Sequence, residues 1–379
     1  MVNAPSNSVT YIIGQLILGG AEKQLYLLAK GLVERGWSVS IITLHGGHGD
    51  YWDGPIRELG VPFCEVTDTS RLARLLKMRS FIQAHPTRFL HSWSGFTGLY
   101  AALLAVLTNM PICLGSQRSV ESLTVRELGF PLYWLSYALM RGIATNSRAA
   151  QRELERRWPR SKVAYIPNAI EGSRGKNSIA GRRLRRDLRA RLHIPRRARV
   201  VGSVGALEDV KRFDRLIEAV RLLRQDRRDW MLVLVGDGPL RDRLHEQARL
   251  ALGETAFHAL GAYPNAEEIM PAFDAFCLCS DDEGTPNVIL EAMTAGVPVL
   301  VTDVGDVREI IKDRWNGIVL ASNRPATIAR SIRRLFANPA TRRRMAKHGR
   351  ERVLREYGLN SMVDAVIGFY ESMVPTSGR

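Results

Sequence analysis

The residues best suited to chemistry lie in one stretch, Ser280-Asp281-Asp282-Glu283-Gly284-Thr285-Pro286-Asn287-Val288-Ile289-Leu290-Glu291-Ala292-Met293. The apolar run Ala275–Cys279 reads as a buried strand leading into it. A loop follows, and then a helix. Thr285 is expected at the N-cap and Pro286 at the first helical position, where a missing N–H costs nothing. The amides from Gly284 to Val288 then point out of the helix start, an end that suits a phosphate. Gly284 has no side chain, so a ligand can approach its backbone closely. Glu283 stands in the loop, and Glu291 lies four residues beyond Asn287, about 6 Å along the helix. Carboxylates beside a phosphate site suit sugar hydroxyls, whose hydrogen bonds an ionised carboxylate accepts. A nucleotide-sugar places one sugar on each side of its diphosphate. The plain alternative is a helix start decorated with acids that favour its dipole.

The segment Glu283–Glu291 resembles the Glu-x7-Glu motif of retaining glycosyltransferase family 4, which has the GT-B fold, and the run SDDEGTPNVILEAMTAGVPVLVTDVGDVREII resembles that family's signature. GGAEKQL at Gly19–Leu25, ATNSRA at Ala144–Ala149, YIPNAI at Tyr165–Ile170 and VGDGP at Val235–Pro239 are similar too, in the family's order. The resemblance implies two doubly wound Rossmann-like α/β domains facing a central cleft. The expected N-terminal, acceptor-side domain is 1–170, joined by a C-terminal helix 358–379 crossing back. The expected nucleotide-sugar domain is 171–357. The resemblance also implies that Lys211 and the amides after Gly284 hold a diphosphate, that Glu291 holds the ribose, and that Glu283, near the anomeric carbon, is the catalytic-site carboxylate. It adds Gly236 and Gly238 to the donor site. Relatives carry Gly-Arg-Leu where this chain has Gly205-Ala206-Leu207, so one phosphate contact is missing, a loss of about 1.5–3 kcal/mol unless another base compensates.

The chain has 379 residues, long enough for two cores that could support such a site, with 45% hydrophobic content. The net charge is +16 and calls for acidic partners, whether phosphorylated substrates, an anionic membrane or nucleic acid. Aromatic content is 7%, with no aromatic–basic interleaving to stack bases, so no nucleic-acid partner is expected. Cys64, Cys113, Cys277 and Cys279 read as reduced core thiols in a cytoplasmic protein. Cys277 and Cys279 would share one strand face, and neither they nor His45 and His48, in a glycine-rich loop, sit in a metal-ligand pattern. No metal and no cofactor are expected beyond the donor itself. No signal peptide is evident, and the apolar run Gly98–Leu107 is too short to span a bilayer.

In the first domain, a strand through Thr10–Leu18 leads into Gly19-Gly20 and a helix from Ala21, a glycine loop of the kind that contacts anions. The plain alternative is an ordinary α/β turn; the resemblance implies a loop near donor phosphate and acceptor, with Gly20 on the donor side and Gly19 on the acceptor side. Ser38–Leu44 is a second strand and Arg71–Gln83 a basic amphipathic helix. Phe89–Gly95 reads as a strand end, and ligands sit at the carboxyl ends of strands in such sheets. His91 and Trp93 are therefore expected to face the cleft, with a buried structural histidine as the alternative. Relatives carry His-x-His here, and this chain has Trp93 at the second place, so His91 is given only an acceptor-side supporting role. Arg118, ending the strand at Gly115–Ser119, suits a phosphate or acceptor group. Phe130–Arg141, aromatic and apolar with a basic end, reads as a core helix, with contact to a membrane as the alternative.

Glu171–Arg199 carries eleven basic residues against two acids, and Leu184, Leu188 and Leu192 mark an amphipathic helix. It fits either an anionic lipid surface or packing on the second domain. Val200–Val204, Met231–Val235 and Val297–Thr302 read as strands; the resemblance implies a short strand at Phe257–Gly261 and sets Tyr263 beside the nucleobase. Gly236-Asp237-Gly238-Pro239 is not a dinucleotide fingerprint, because Arg241 holds its third glycine position. The resemblance implies transfer, with retention, from a nucleotide diphosphate sugar (a UDP-sugar) to a saccharide or lipid-linked acceptor in bacterial cell-surface polysaccharide synthesis, at the cytoplasmic, inner-membrane face. The alternatives are a nucleotide-sugar 2-epimerase of the same fold and a basic nucleic-acid-binding protein.

Overall fold

The computed structural model describes residues 4–44, 50–68, 70–110, 112–118, 129–171, 179–263 and 265–374; His45, His48 and Ser119 lie outside them. The chain divides into two units, Met1–Ala169 with Leu359–Arg379, and Ile170–Gly358.

The first unit is built on seven strands, β1 (Ser8–Ile13), β2 (Ser38–Thr43), β3 (Phe63–Glu65), β4 (Phe89–Ser92), β5 (Cys113–Gln117), β6 (Gly142–Thr145) and β7 (Lys162–Tyr165), in the order β3-β2-β1-β4-β5-β6-β7. Each pairs with its neighbours in parallel. A parallel sheet must be covered on both faces, and every residue of SVTYII in β1 is accordingly buried. The order reverses between β1 and β4, which marks the switch point where such sheets hold ligands.

The chain's last helix, Leu359–Met373, packs on the helix Gly20–Glu34 of this unit. Gly31 permits the approach, since a Cβ there would stand 2.5 Å from Val363. Buried Gln24 closes the unit by donating to the Ala169 carbonyl at 2.9 Å and accepting from its amide at 2.6 Å. The helix Phe130–Ala138 departs from the core helix expected of it. Tyr133, Ser136 and Tyr137 are buried, but Leu132, Trp134 and Leu135 are exposed, because only one face packs on the helix Gly98–Leu107.

The second unit has six strands, β8 (Arg199–Val204), β9 (Trp230–Val235), β10 (Phe257–Ala259), β11 (Ala275–Leu278), β12 (Val299–Thr302) and β13 (Ile318–Leu320), in the order β10-β9-β8-β11-β12-β13. All pairings are again parallel, and the order reverses between β8 and β11. β9 is continuously apolar and buried, as a central parallel strand must be. Cys277 and Cys279 face the same way, with sulfurs 3.5 Å apart inside the core, and all four cysteines are buried and free. The basic helix Ile179–Arg191 is partly packed, since Leu188 and Arg189 are buried. No helix among the described residues is long and apolar enough to cross a membrane.

Candidate active site

In the second unit the loops after β8, β11 and β12 meet at the carboxyl end of the sheet. Glu283 is the centre of this meeting. Lys211 Nζ donates to its Oε1 at 2.7 Å and Oε2 at 2.8 Å, and Ser280 Oγ donates to Oε1 at 2.6 Å. An ammonium carries three donors, so the two bonds to Glu283 leave a third for another acceptor. The Lys211 and Glu283 side chains retain 21% and 9% exposure, so the pair is sheltered but reachable. The two loops are tied by the Asp281 amide, which donates to the Val210 carbonyl at 2.8 Å. Thr302 Oγ1 fastens β12 to the Ser280 carbonyl at 2.8 Å.

The helix after this loop runs Asn287–Thr294, with Pro286 at its N-cap and no side-chain cap bond. This corrects the expectation for Thr285 and Pro286. The Thr285 hydroxyl donates instead to Asp306 Oδ2 at 3.2 Å, so a carboxylate from the next loop outcompetes the helix end for it. Asp306 is buried, and its amide donates to the Gly284 carbonyl at 3.1 Å. Asp306 is thus a positioning residue that sequence reasoning missed; its only signal was an acid placed directly after Gly305. Gly305 has φ +51°, and a Cβ on it would run into the carbonyls of Glu283 and Gly284. Gly284 differs, because a Cβ there would meet nothing within 4 Å. The fold itself therefore makes no demand for glycine at 284. Val288 is half-buried, and Glu291 is buried at 8% exposure, one turn into the helix.

Gly236 and Gly238 follow β9. A Cβ on Gly236 would collide with the Gly205 carbonyl, and one on Gly238 would stand 2.8 Å from the Leu207 amide. Their small size is explained by the close crossing of the 205–207 loop, with or without a ligand. Ala206, in that loop, is exposed. Arg212 does not fill the missing arginine's place, since it pairs with Asp214 at 3.0 Å and Asp281 at 3.6 Å. Tyr263 packs against the hydrophobic core.

In the first unit the corresponding position is organised differently. His91, on β4, is not turned outward as expected but is 1% exposed. Its Nδ1 lies 2.7 Å from the Tyr370 hydroxyl and its Nε2 2.8 Å from Ser116 Oγ. Tyr370 in turn meets the Tyr11 hydroxyl at 2.7 Å. Burial, with Arg118 adding to it, pushes the His91 pKa down to about 3, so the imidazole is neutral. Both ring nitrogens are occupied, as in the alternative of a buried structural histidine. The last helix, which delivers Tyr370, is the cause. Trp93 is likewise buried, its Nε1 donating to the Ala21 carbonyl at 2.9 Å.

Arg118 stacks on the Trp93 ring at 3.6 Å and donates to Asn168 Oδ1 at 3.2 Å. Burial brings its pKa down to about 9, although Tyr11 and Tyr370 work against that fall. Its Nε is buried without a hydrogen-bond partner among the described residues. Gly19 is the extended N-cap of the first helix and Gly20 its first residue. Glu22 folds back toward Gly19 and its own amide, and burial raises its pKa.

Two doubly wound sheets, each with a switch point, define the class of fold. The chain superimposes on HepE from Anabaena in complex with UDP-glucose, with a TM-score of 0.81 at 18% identity, covering 96% of this chain and 99% of that one. This is a GT-B fold. The Glycosyltransferase Family 4 sequence model matches residues 18–174, and the Glycosyl transferases group 1 model matches residues 185–352. The chain belongs to the group 1, family 4 glycosyltransferases, enzymes that transfer glycosyl groups.

Among its relatives is a lipopolysaccharide core biosynthesis glycosyltransferase, LpsE, of Rhizobium meliloti. It is 31% identical over 47% of this chain and 52% of its own length. The 2-deoxystreptamine glucosyltransferase of Streptomyces kanamyceticus is 27% identical over 90% of this chain and 80% of its own.

Proposed function

We propose that this chain is a retaining glycosyltransferase that moves a sugar from a UDP-sugar to a saccharide or lipid-linked acceptor of cell-surface polysaccharide. The observation that carries the reading is the Lys211–Glu283 pair beside the open backbone at Gly284. The ammonium's third donor and the first-turn amides of the helix Asn287–Thr294 take up the diphosphate charge as it grows on departure. Glu283, oriented by Lys211 and Ser280, accepts hydroxyls of the donor sugar. Glu291 holds the ribose. The bond from the anomeric carbon to the diphosphate oxygen breaks, and the acceptor oxygen bonds to that carbon on the same face. The acceptor proton passes to the leaving phosphate. No metal or other cofactor enters this scheme.

The names of the relatives support the substrate class: one is a lipopolysaccharide core enzyme, and the HepE structure contains UDP-glucose. The apolar side chains exposed on the helices Gly98–Leu107 and Phe130–Ala138, among them Val106 and Trp134, suit a lipid-linked acceptor at the cytoplasmic face of the inner membrane. The test is UDP release from UDP-sugars with and without a lipid-linked oligosaccharide fraction, followed by assignment of the product's anomeric configuration. Acceptor-dependent release with the donor's configuration kept is expected. An inverted product, or a donor epimerised with no acceptor present, overturns the reading.

A further inference from the structure

A cavity of about 590 Å³ opens at the other end of the second sheet. Asp274 and Pro298, in its wall, immediately precede β11 and β12, whereas the Glu283 loop follows β11. The four-residue strand β11 separates the two ends by roughly 13 Å. The wall is braced by two arginines from the helix Ile179–Arg191. Arg185 donates to Asp274 Oδ1 at 2.7 Å and to the Pro271 and Phe273 carbonyls. Arg189 donates to Asp274 Oδ2 at 2.7 Å and to the Ala272 and Ala198 carbonyls. Asp274 is thereby consumed by the wall itself.

Five further arginines line the same cavity: Arg182, Arg186, Arg196, Arg342 and Arg343. Asp274 is the one acid among the lining residues, against seven arginines, of which Arg186 also pairs with Asp187 at 3.5 Å. The surface at large is not built this way. The chain carries 54 basic against 38 acidic residues, and the cavity on the helix Arg148–Arg157 mixes Arg152 and Arg156 with Glu153 and Glu155. Crowding also shows in the charges themselves. Burial lowers the Arg342 pKa, and Arg199 and Arg343 push it further down while only Asp274 opposes. A fold that gathers like charge around a concave volume gains most from an anion that brings several charges at once. Guanidinium groups hold phosphate oxygens in paired, planar hydrogen bonds, and the volume is of the size that encloses a small-molecule ligand.

We propose that this cavity binds a multiply phosphorylated anion at a site separate from the sugar-donor site. The proposal does not depend on the transferase scheme above. The phosphates belong either to a soluble polyphosphate or to phosphorylated lipid headgroups.

The test titrates the full chain with inorganic tripolyphosphate by calorimetry, with UDP titrated in parallel. The variant is Arg186→Gln/Arg196→Gln/Arg343→Gln, three exposed residues that leave the Arg185–Asp274–Arg189 wall intact. The control of equal charge is Arg152→Gln/Arg156→Gln/Arg160→Gln in the first unit. Wild type is expected to bind tripolyphosphate, the cavity variant to bind it at least about tenfold more weakly, and the control to keep its affinity within about twofold. UDP affinity is expected to be the same in all three. Absence of tripolyphosphate binding, equal weakening in variant and control, or displacement of tripolyphosphate by UDP overturns the proposal. Flotation with phosphatidylglycerol vesicles but not phosphatidylcholine vesicles, lost in the cavity variant alone, supports the site with a lipid source. Tripolyphosphate binding without flotation supports it with a soluble one.

Discussion

At β4 of the first unit a histidine is folded into the core, whereas just beyond β11 of the second a glutamate is held near the surface by a lysine. The two strands occupy the same place in their sheets, each just across the point where strand order reverses. Both places carry polar side chains in hydrogen-bonded networks. The His91 network runs through Ser116, Tyr370 and Tyr11, groups neutral at pH 7, and is sealed by the last helix. The Glu283 network is charged, keeps part of its surface, and adjoins a backbone glycine with open space above it. The first network is closed by its own side chains, whereas the second leaves a Lys211 donor and the Gly284 backbone open, as the proposed donor role requires.

The largest expected difference separates the two networks by readout. Glu283→Gln keeps the shape but removes the charge that pairs with Lys211 and, in the proposed scheme, accepts sugar hydroxyls. Transfer is expected to fall by about a hundredfold or more with little change in melting temperature. His91→Ala leaves a cavity and unsatisfied hydroxyls, a cost of about 2–5 kcal/mol, with the activity of the remaining folded protein largely kept. Calorimetric melting and initial rates on both variants check this. An inactive but fully stable His91→Ala enzyme would break the comparison.

The pH response sharpens it. His91 titrates at 6.5 in the unfolded chain but at about 3 in the fold, so only the unfolded chain takes up this proton in between. The stability it contributes is fully present above pH 6.5 and is lost as pH falls toward 3, by roughly 1 kcal/mol per pH unit. His91→Gln is expected to flatten that acid limb in urea melts at several pH values; an unchanged slope contradicts the buried neutral imidazole.

The glycines give the smaller, finer contrast. Gly305→Ala forces a side chain into the Glu283 and Gly284 carbonyls at positive φ and is expected to cost about 1–3 kcal/mol. Gly284→Ala is expected to change stability by less than about 0.5 kcal/mol while raising KM for the UDP-sugar. Equal destabilisation of the two would remove the case for a ligand over Gly284.

Most of the fold could be read from the chain. Continuous apolar runs such as Met231–Val235, and the spacing of Leu25, Leu28 and Leu32, specify buried strands and covering helices. The three-residue strands Phe63–Glu65 and Ile318–Leu320 were not legible, being too short to show a period. The site was legible as residue types but not as partnerships. Lys211 and Glu283 were expected to face different parts of one donor, yet they bind each other across 72 positions. Thr285 was expected to cap its own helix, but local rules cannot see Asp306 arriving 21 residues later. For His91 the chain left a cleft-facing and a buried structural histidine both open for the same reason at longer range, since its partner Tyr370 is 279 residues away.

The most direct test of the proposed donor site at the carboxyl end of the second sheet is calorimetric titration of UDP into wild type and Glu291→Ala, beside GDP and ADP. Binding of UDP to wild type, weakened at least about tenfold in the variant at unchanged melting temperature, is the predicted result. Equal UDP affinity in both proteins, or binding of no nucleotide by wild type, would contradict it.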